Sequence, residues 1–93
     1  MKVMLVSRYA ATFAGTPQSV GCARQRIWDL LADCSLADDA SLIVSEFVSN
    51  AVLHSLSRVG TFTVRCDVFS TYVYVECEDD GGVWCNAGSA LRA

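Results

Sequence analysis

Several kinds of residue are scarce in this chain of 93 residues, and each scarcity excludes something. Histidine occurs once, so no histidine-rich metal centre can form. Lysine and arginine total seven against ten acidic residues, a net charge of −3, which leaves no footprint for a nucleic-acid backbone. The five cysteines, Cys22, Cys34, Cys66, Cys77 and Cys85, include no CxxC pair and are odd in number. That spacing suits reduced, packed thiols in a cytoplasm better than a disulfide scaffold or a zinc site. No apolar run approaches the ~18 residues of a membrane span, and the opening MKVMLV is too short for a signal-peptide core. Neither membrane nor nucleic acid is an expected partner. Repeats and low-complexity segments are absent, and no serine has credible triad partners.

What is present is apolar. Hydrophobic residues make up 53% of the chain and mean hydropathy is +0.35, which excludes wholesale disorder. One domain is expected over residues 1–93, with a modest core. So large an apolar share in so short a chain implies that some of it is covered by a partner or a second copy.

The pattern along the chain reads strand, helix, helix, strand, strand. Residues 3–9 form a first strand. Thr16 before Pro17 marks a helix start, a hydroxyl at the N-cap and a proline where its missing N–H is harmless. Val20, Ala23, Ile27, Leu30 and Leu31 recur at helical spacing over 17–32, with Arg24 and Arg26 outside the stripe. A second helix starts around Ala37-Asp38-Asp39, whose carboxylates suit a helix N-terminus, and is apolar on more than one side. Residues 61–68 and 72–79 alternate with a period of two, giving a hairpin with Phe62, Val64, Cys66, Val68, Val73, Val75 and Cys77 on the core side. Residues 86–93 carry no strand or helix signal. The expected fold class is α+β: a two-layer sandwich, two helices packed on one face of a small mixed sheet.

Two polar clusters interrupt this pattern. Glu46, Asn50 and His54 stand four residues apart within LIVSEFVSNAVLHS, on one face of the second helix. Burying such a row without partners costs several kcal/mol, so it is expected to line a polar cleft. Glu78-Asp79-Asp80-Gly81-Gly82 closes the last strand, and Asp79 shares the parity of the core residues. Asn50 offers an amide oxygen of the kind Mg²⁺ accepts while keeping water and phosphate in its shell. Glu46, one turn earlier, can polarise a hydroxyl or water attacking a terminal phosphate. His54 can contact a phosphate or ribose, or cap the helix. Asp79 can accept a hydrogen bond from an exocyclic amine such as adenine's, and Gly81 and Gly82 permit close backbone approach to a base. Plainer roles stand beside these: a solvated helix stripe for Glu46 and Asn50, and an acidic turn for residues 78–82.

At these residues the chain resembles the Bergerat-type (GHKL) ATPase superfamily, the histidine kinase-like ATPase domain, and within it the anti-sigma-factor serine/threonine kinase branch. The resemblance is carried by Phe13-Ala14-Gly15-Thr16-Pro17-Gln18-Ser19-Val20 and Ala37-Asp38-Asp39. It continues with Val44-Ser45-Glu46-Phe47-Val48-Ser49-Asn50-Ala51-Val52-Leu53-His54-Ser55 and Val75-Glu76-Cys77-Glu78-Asp79-Asp80-Gly81. It implies ATP and Mg²⁺ as cofactors, Glu46 as catalytic base or water orienter, Asn50 as the Mg²⁺ ligand, and Asp79 with Gly81 at adenine. It also implies dimerisation and a sigma factor or anti-anti-sigma protein as partner. The family's ATP lid and second glycine-rich box have no counterpart here, Gly88-Ser89-Ala90 being a poor substitute, so the chain resembles an abbreviated member. Two functions follow: an ATP-binding regulator with a protein serine as acceptor, or a non-catalytic module that binds a regulatory partner without nucleotide turnover.

Overall fold

The computed structural model describes residues 2–54, 60–79 and 87–92. Six elements follow in order: β1 (Leu5–Ala14), α1 (Pro17–Leu30), α2 (Ala37–His54), β2 (Thr61–Phe69), β3 (Tyr72–Asp79) and β4 (Ala87–Arg92). They form a small α+β domain, two helices against a four-stranded sheet of order β1-β2-β3-β4. Every pairing between neighbouring strands is antiparallel, so the sheet is not mixed as expected. The cause is the helix pair. A single crossover helix returns the chain to the far end of a sheet and yields a parallel neighbour. Here α1 runs back and α2 runs forward, which brings β2 in beside the end of β1, with Thr61 opposite Ala14.

That junction is tight. The Gly15 N–H donates to the Gly60 carbonyl at 2.9 Å, and a Cβ on Gly15 would stand 3.0 Å from the same oxygen. Thr16 holds the N-cap position of α1 in an extended conformation with Pro17 following. Its hydroxyl makes no capping bond and instead lies 3.2 Å from the Ser19 hydroxyl.

The core forms where three stripes meet. Ala23, Ile27 and Leu31 come from α1 and its end, Ala40, Val44 and Val48 from α2, and Phe62, Val64, Cys66, Val73, Val75 and Cys77 from the hairpin. The alternation in 61–68 and 72–79 thus sorts the apolar side chains as expected, except that Val68, near the end of β2, is only partly buried. β1 is longer than expected by five residues at its far end, and Tyr9 and Phe13 on it pack against the core, Phe13 stacking on Phe62 at 5.4 Å. β4 was not expected at all. Its sequence, AGSALR, has little strand propensity, and it is held by the ladder that β3 offers, with Leu91 opposite Val73 and packed on the core.

The other face of the sheet is charged and largely paired. Arg65 Nη1 donates to Glu76 Oε2 at 2.7 Å, and Nη2 stands 2.8 Å from Glu78 Oε1. Arg8 pairs with Asp67 at 3.1 Å, and the Arg92 guanidinium lies over the Tyr72 ring. The bond to Glu78, then that to Glu76, raises the Arg65 pKa further. The Arg65 side chain is nevertheless 41% exposed, so screening limits what the pairs contribute. Arg65→Ala is expected to cost about 1 kcal/mol or less. Urea unfolding at low salt and at 1 M salt checks this: the difference between variant and parent should shrink in salt.

Among the described residues no helix is long and apolar enough to cross a membrane. Cys22 is exposed, Cys34 half-buried, and Cys66 and Cys77 are buried. Cys85 lies outside the described residues.

Candidate functional site

The helix α2 carries the polar row. Ala40, Val44 and Val48 fix its buried side, all at most 1% exposed, by packing mainly on β3 and α1. Glu46 and Asn50 fall on the opposite flank and are both exposed. Glu46 and Asn50 therefore face solvent, where the sequence suggested the wall of a polar cleft. The spacing has the physical consequence expected of it: two side chains one turn apart on one flank, able to reach a common ligand. His54 is the last residue of α2, at the same end of the sheet as Ala14 and Thr61.

Asp79 is the last residue of β3 and is registered across from Phe62 on β2. Phe62 is the largest fully buried side chain, so the backbone at Asp79 lies beside the core at that end of the sheet. α2 and β2 meet the same end: His54 terminates the helix, and Thr61 begins the strand. The topology thus brings the end of the Glu46–Asn50–His54 helix and the end of the Asp79 strand to one edge of the domain. Gly81 and Gly82 lie outside the described residues.

A metal there would find the Asn50 amide oxygen as a hard donor, with the Glu46 carboxylate one turn away on the same flank. Among the described residues no three His, Cys, Asp or Glu side chains converge on one point. This pair fits Mg²⁺ held chiefly by water and phosphate oxygens, and does not fit a metal caged by protein alone.

Two features where α1 meets β1 and α2 carry no signal in the sequence. The Tyr9 hydroxyl is buried without a hydrogen-bond partner among the described residues. Burial pushes its pKa up, and the Arg26 guanidinium partly offsets this. Tyr9, Arg26, Asp29 and Leu30 line an open cavity of about 390 Å³. A second cavity, about 340 Å³, lies between the helices and is lined by Arg24, Gln25, Trp28, Asp38 and Ser41. Neither could have been found from periodicity, since both depend on how α1 is set against β1 and α2. Glu46 and Asn50 line neither of them. No protein-family model matches the chain, and no curated protein matches it at a significant level.

Proposed function

We propose that this chain is an ATP-binding regulatory protein of the Bergerat, histidine kinase-like type, akin to anti-sigma-factor serine/threonine kinases. The supporting observation is topological: α2, with Glu46 and Asn50 exposed one turn apart, packs on β3 and ends at the same edge of the sheet as Asp79. In this reading Asp79 accepts the adenine amino hydrogen, Gly81 lets the backbone approach the base, and His54 meets a phosphate or the ribose. The Asn50 amide oxygen binds Mg²⁺, which neutralises phosphate charge when bound. Glu46 takes the proton from an attacking protein serine hydroxyl. The partners are a sigma factor or an anti-anti-sigma-like protein, in the cytoplasm.

A second reading keeps the fold and drops the nucleotide. The helix pair exposes Trp28 (42%), which lines a cavity with Arg24 and Asp38, and Leu42 (58%). An apolar pair rimmed by unlike charges suits a protein partner.

Calorimetric titration with ATP, with and without Mg²⁺, separates the two. Asn50→Ala and Asp79→Asn are each expected to weaken binding about 10–100-fold, the ~1.5–3 kcal/mol of a bond to a charged group. Binding that ignores both substitutions, or no binding at millimolar ATP, removes the nucleotide reading and favours the second.

A further inference from the structure

The seam between α1 and β1 holds a polar group that the fold leaves unsatisfied. Tyr9 is registered opposite Cys66, and its side chain packs against the core. Its place is thereby fixed, yet its hydroxyl is buried with no hydrogen-bond partner among the described residues. Burying a hydroxyl unpaired destabilises a fold, so the few that persist commonly have a role outside packing. Burial raises the Tyr9 pKa, which keeps the group a protonated donor at neutral pH. The Arg26 guanidinium stands near enough to offset part of that rise.

Arg26 is uncommitted as well. It is exposed, and the ion pairs among the described residues join Arg8 to Asp67 and Arg65 to Glu76 and Glu78 instead. With Tyr9, Asp29 and Leu30 it lines the cavity of about 390 Å³. Asp29 stands three residues on, a neighbour on the same helix face, and the Gln25 side-chain amide orients its carboxylate by donating to Oδ1 at 2.9 Å. Asp29 and Leu30 also line a second cavity, about 300 Å³, where Val6 and Val68 supply apolar wall and Asp33 a second carboxylate. None of the described residues lining that second cavity is basic.

We infer that this seam binds a free α-amino acid with an apolar side chain. The ligand carboxylate accepts from the Tyr9 hydroxyl and the Arg26 guanidinium, and its ammonium donates to Asp29. Its side chain lies along Leu30 toward Val6 and Val68. Spacing selects this ligand: opposite charges one helical turn apart suit a carboxylate and an ammonium carried on one carbon. A simple anion would leave the Asp29 charge facing it, and a polyanion such as a nucleoside triphosphate would meet Asp33 as well. A simple cation would meet Arg26. Cavities of this size, with apolar wall and a few converging polar groups, have the make-up of small-molecule sites. Because Tyr9 is already fixed by the core, little ordering opposes binding. The site shares no residue with Glu46, Asn50, His54 or Asp79, so the inference is independent of nucleotide binding.

Calorimetric titration of the 93-residue protein with L-valine, L-leucine and L-phenylalanine, without nucleotide, tests it. At least one should bind with a dissociation constant below about 1 mM. Analogues of the tightest binder that lack its ammonium or its carboxylate should each bind at least about tenfold more weakly. Tyr9→Phe and Arg26→Gln should each weaken binding about tenfold or more. Tyr9→Phe should not lower the melting temperature, since the hydroxyl it removes has no partner among the described residues. Asp29→Asn should weaken the amino acid about tenfold and leave the ammonium-free analogue unaffected, a selective loss that damage to the fold cannot produce. No binding by any of the three at up to about 10 mM overturns the proposal. So does an ammonium-free analogue that binds equally well, binding indifferent to Tyr9→Phe and Arg26→Gln, or a Tyr9→Phe variant that loses stability and affinity together.

Discussion

Phe62→Ala should leave little folded protein at 37 °C. Phe62 is 1% exposed and stacks on Phe13 of the edge strand at 5.4 Å, with the rings 19° from parallel. Its ring ties β1 to β2 through Phe13, and its backbone is registered across from Asp79 at the end of β3. Truncating a buried Phe costs about 3–5 kcal/mol, part lost transfer energy and part unfilled cavity. A domain of this length has only about 5–14 kcal/mol in all. The melting temperature is expected to fall by roughly 12–40 °C, at about 4–8 °C for each kcal/mol. Phe62→Leu, which keeps most of the volume, should lose under half as much. A loss below about 1 kcal/mol for the alanine variant would show that neighbouring side chains collapse into the space and that Phe62 is not the anchor. Because Phe62 stands opposite Asp79, the proposed nucleotide edge should weaken with the core.

The residues that were legible in the sequence are those whose pattern has only one physical solution. Alternation over 61–68 and 72–79 can bury only one parity, and Phe62, Val64, Cys66, Val73, Val75 and Cys77 are the buried set. Pro17 can start a helix and cannot continue one, and α1 begins there. What stayed illegible depends on pairing at a distance. Ala10, Ala11 and Thr12 look like a strand's end in sequence, and they extend β1 only because β2 lies beside them as Arg65, Val64 and Thr63. Residues 87–92 become a strand for the same reason, along β3. Strand direction in the sheet was hidden too, since it depends on which strand β2 pairs with, and the same order of elements permits either answer.

The polar row shows the same boundary. Spacing alone places Glu46 and Asn50 on one flank of α2. It cannot say whether that flank meets a wall or water, because both outcomes satisfy a period of 3.6. Val44 and Val48 settle it by taking the buried side, which leaves Glu46 and Asn50 exposed. Tyr9 is the converse case. Its parity on β1 predicts nothing unusual, and only the packing of α1 isolates its hydroxyl.

The domain should also lose stability in alkali before its surface groups explain it, because of Cys66. This thiol sits mid-sheet between Tyr9 on β1 and Val75 on β3, at 0% exposure. Burial pushes its pKa from 9.0 up to about 11, with smaller contributions from Asp67 and Cys34. The folded state therefore holds its proton more tightly than the unfolded chain does. A raised pKa stabilises in full below the unfolded value near 9 and is lost as the pH climbs through the folded value near 11. About 2 kcal/mol should disappear by pH 10.5, at ~1.4 kcal/mol per unit of pKa difference. Tyr9 and Tyr74 are raised by burial in the same direction and add to the decline at higher pH. Urea unfolding of the reduced protein from pH 8 to 10.5, beside Cys66→Ala, isolates the thiol. The variant starts from lower stability but should fall less steeply, and curves that stay parallel would remove Cys66 as the cause. Mass-mapped alkylation gives an independent reading: Cys22, exposed on α1, should label readily in the native protein, and Cys66 only at the rate at which the sheet opens. A thiol kept protonated and enclosed in this way is a packing residue.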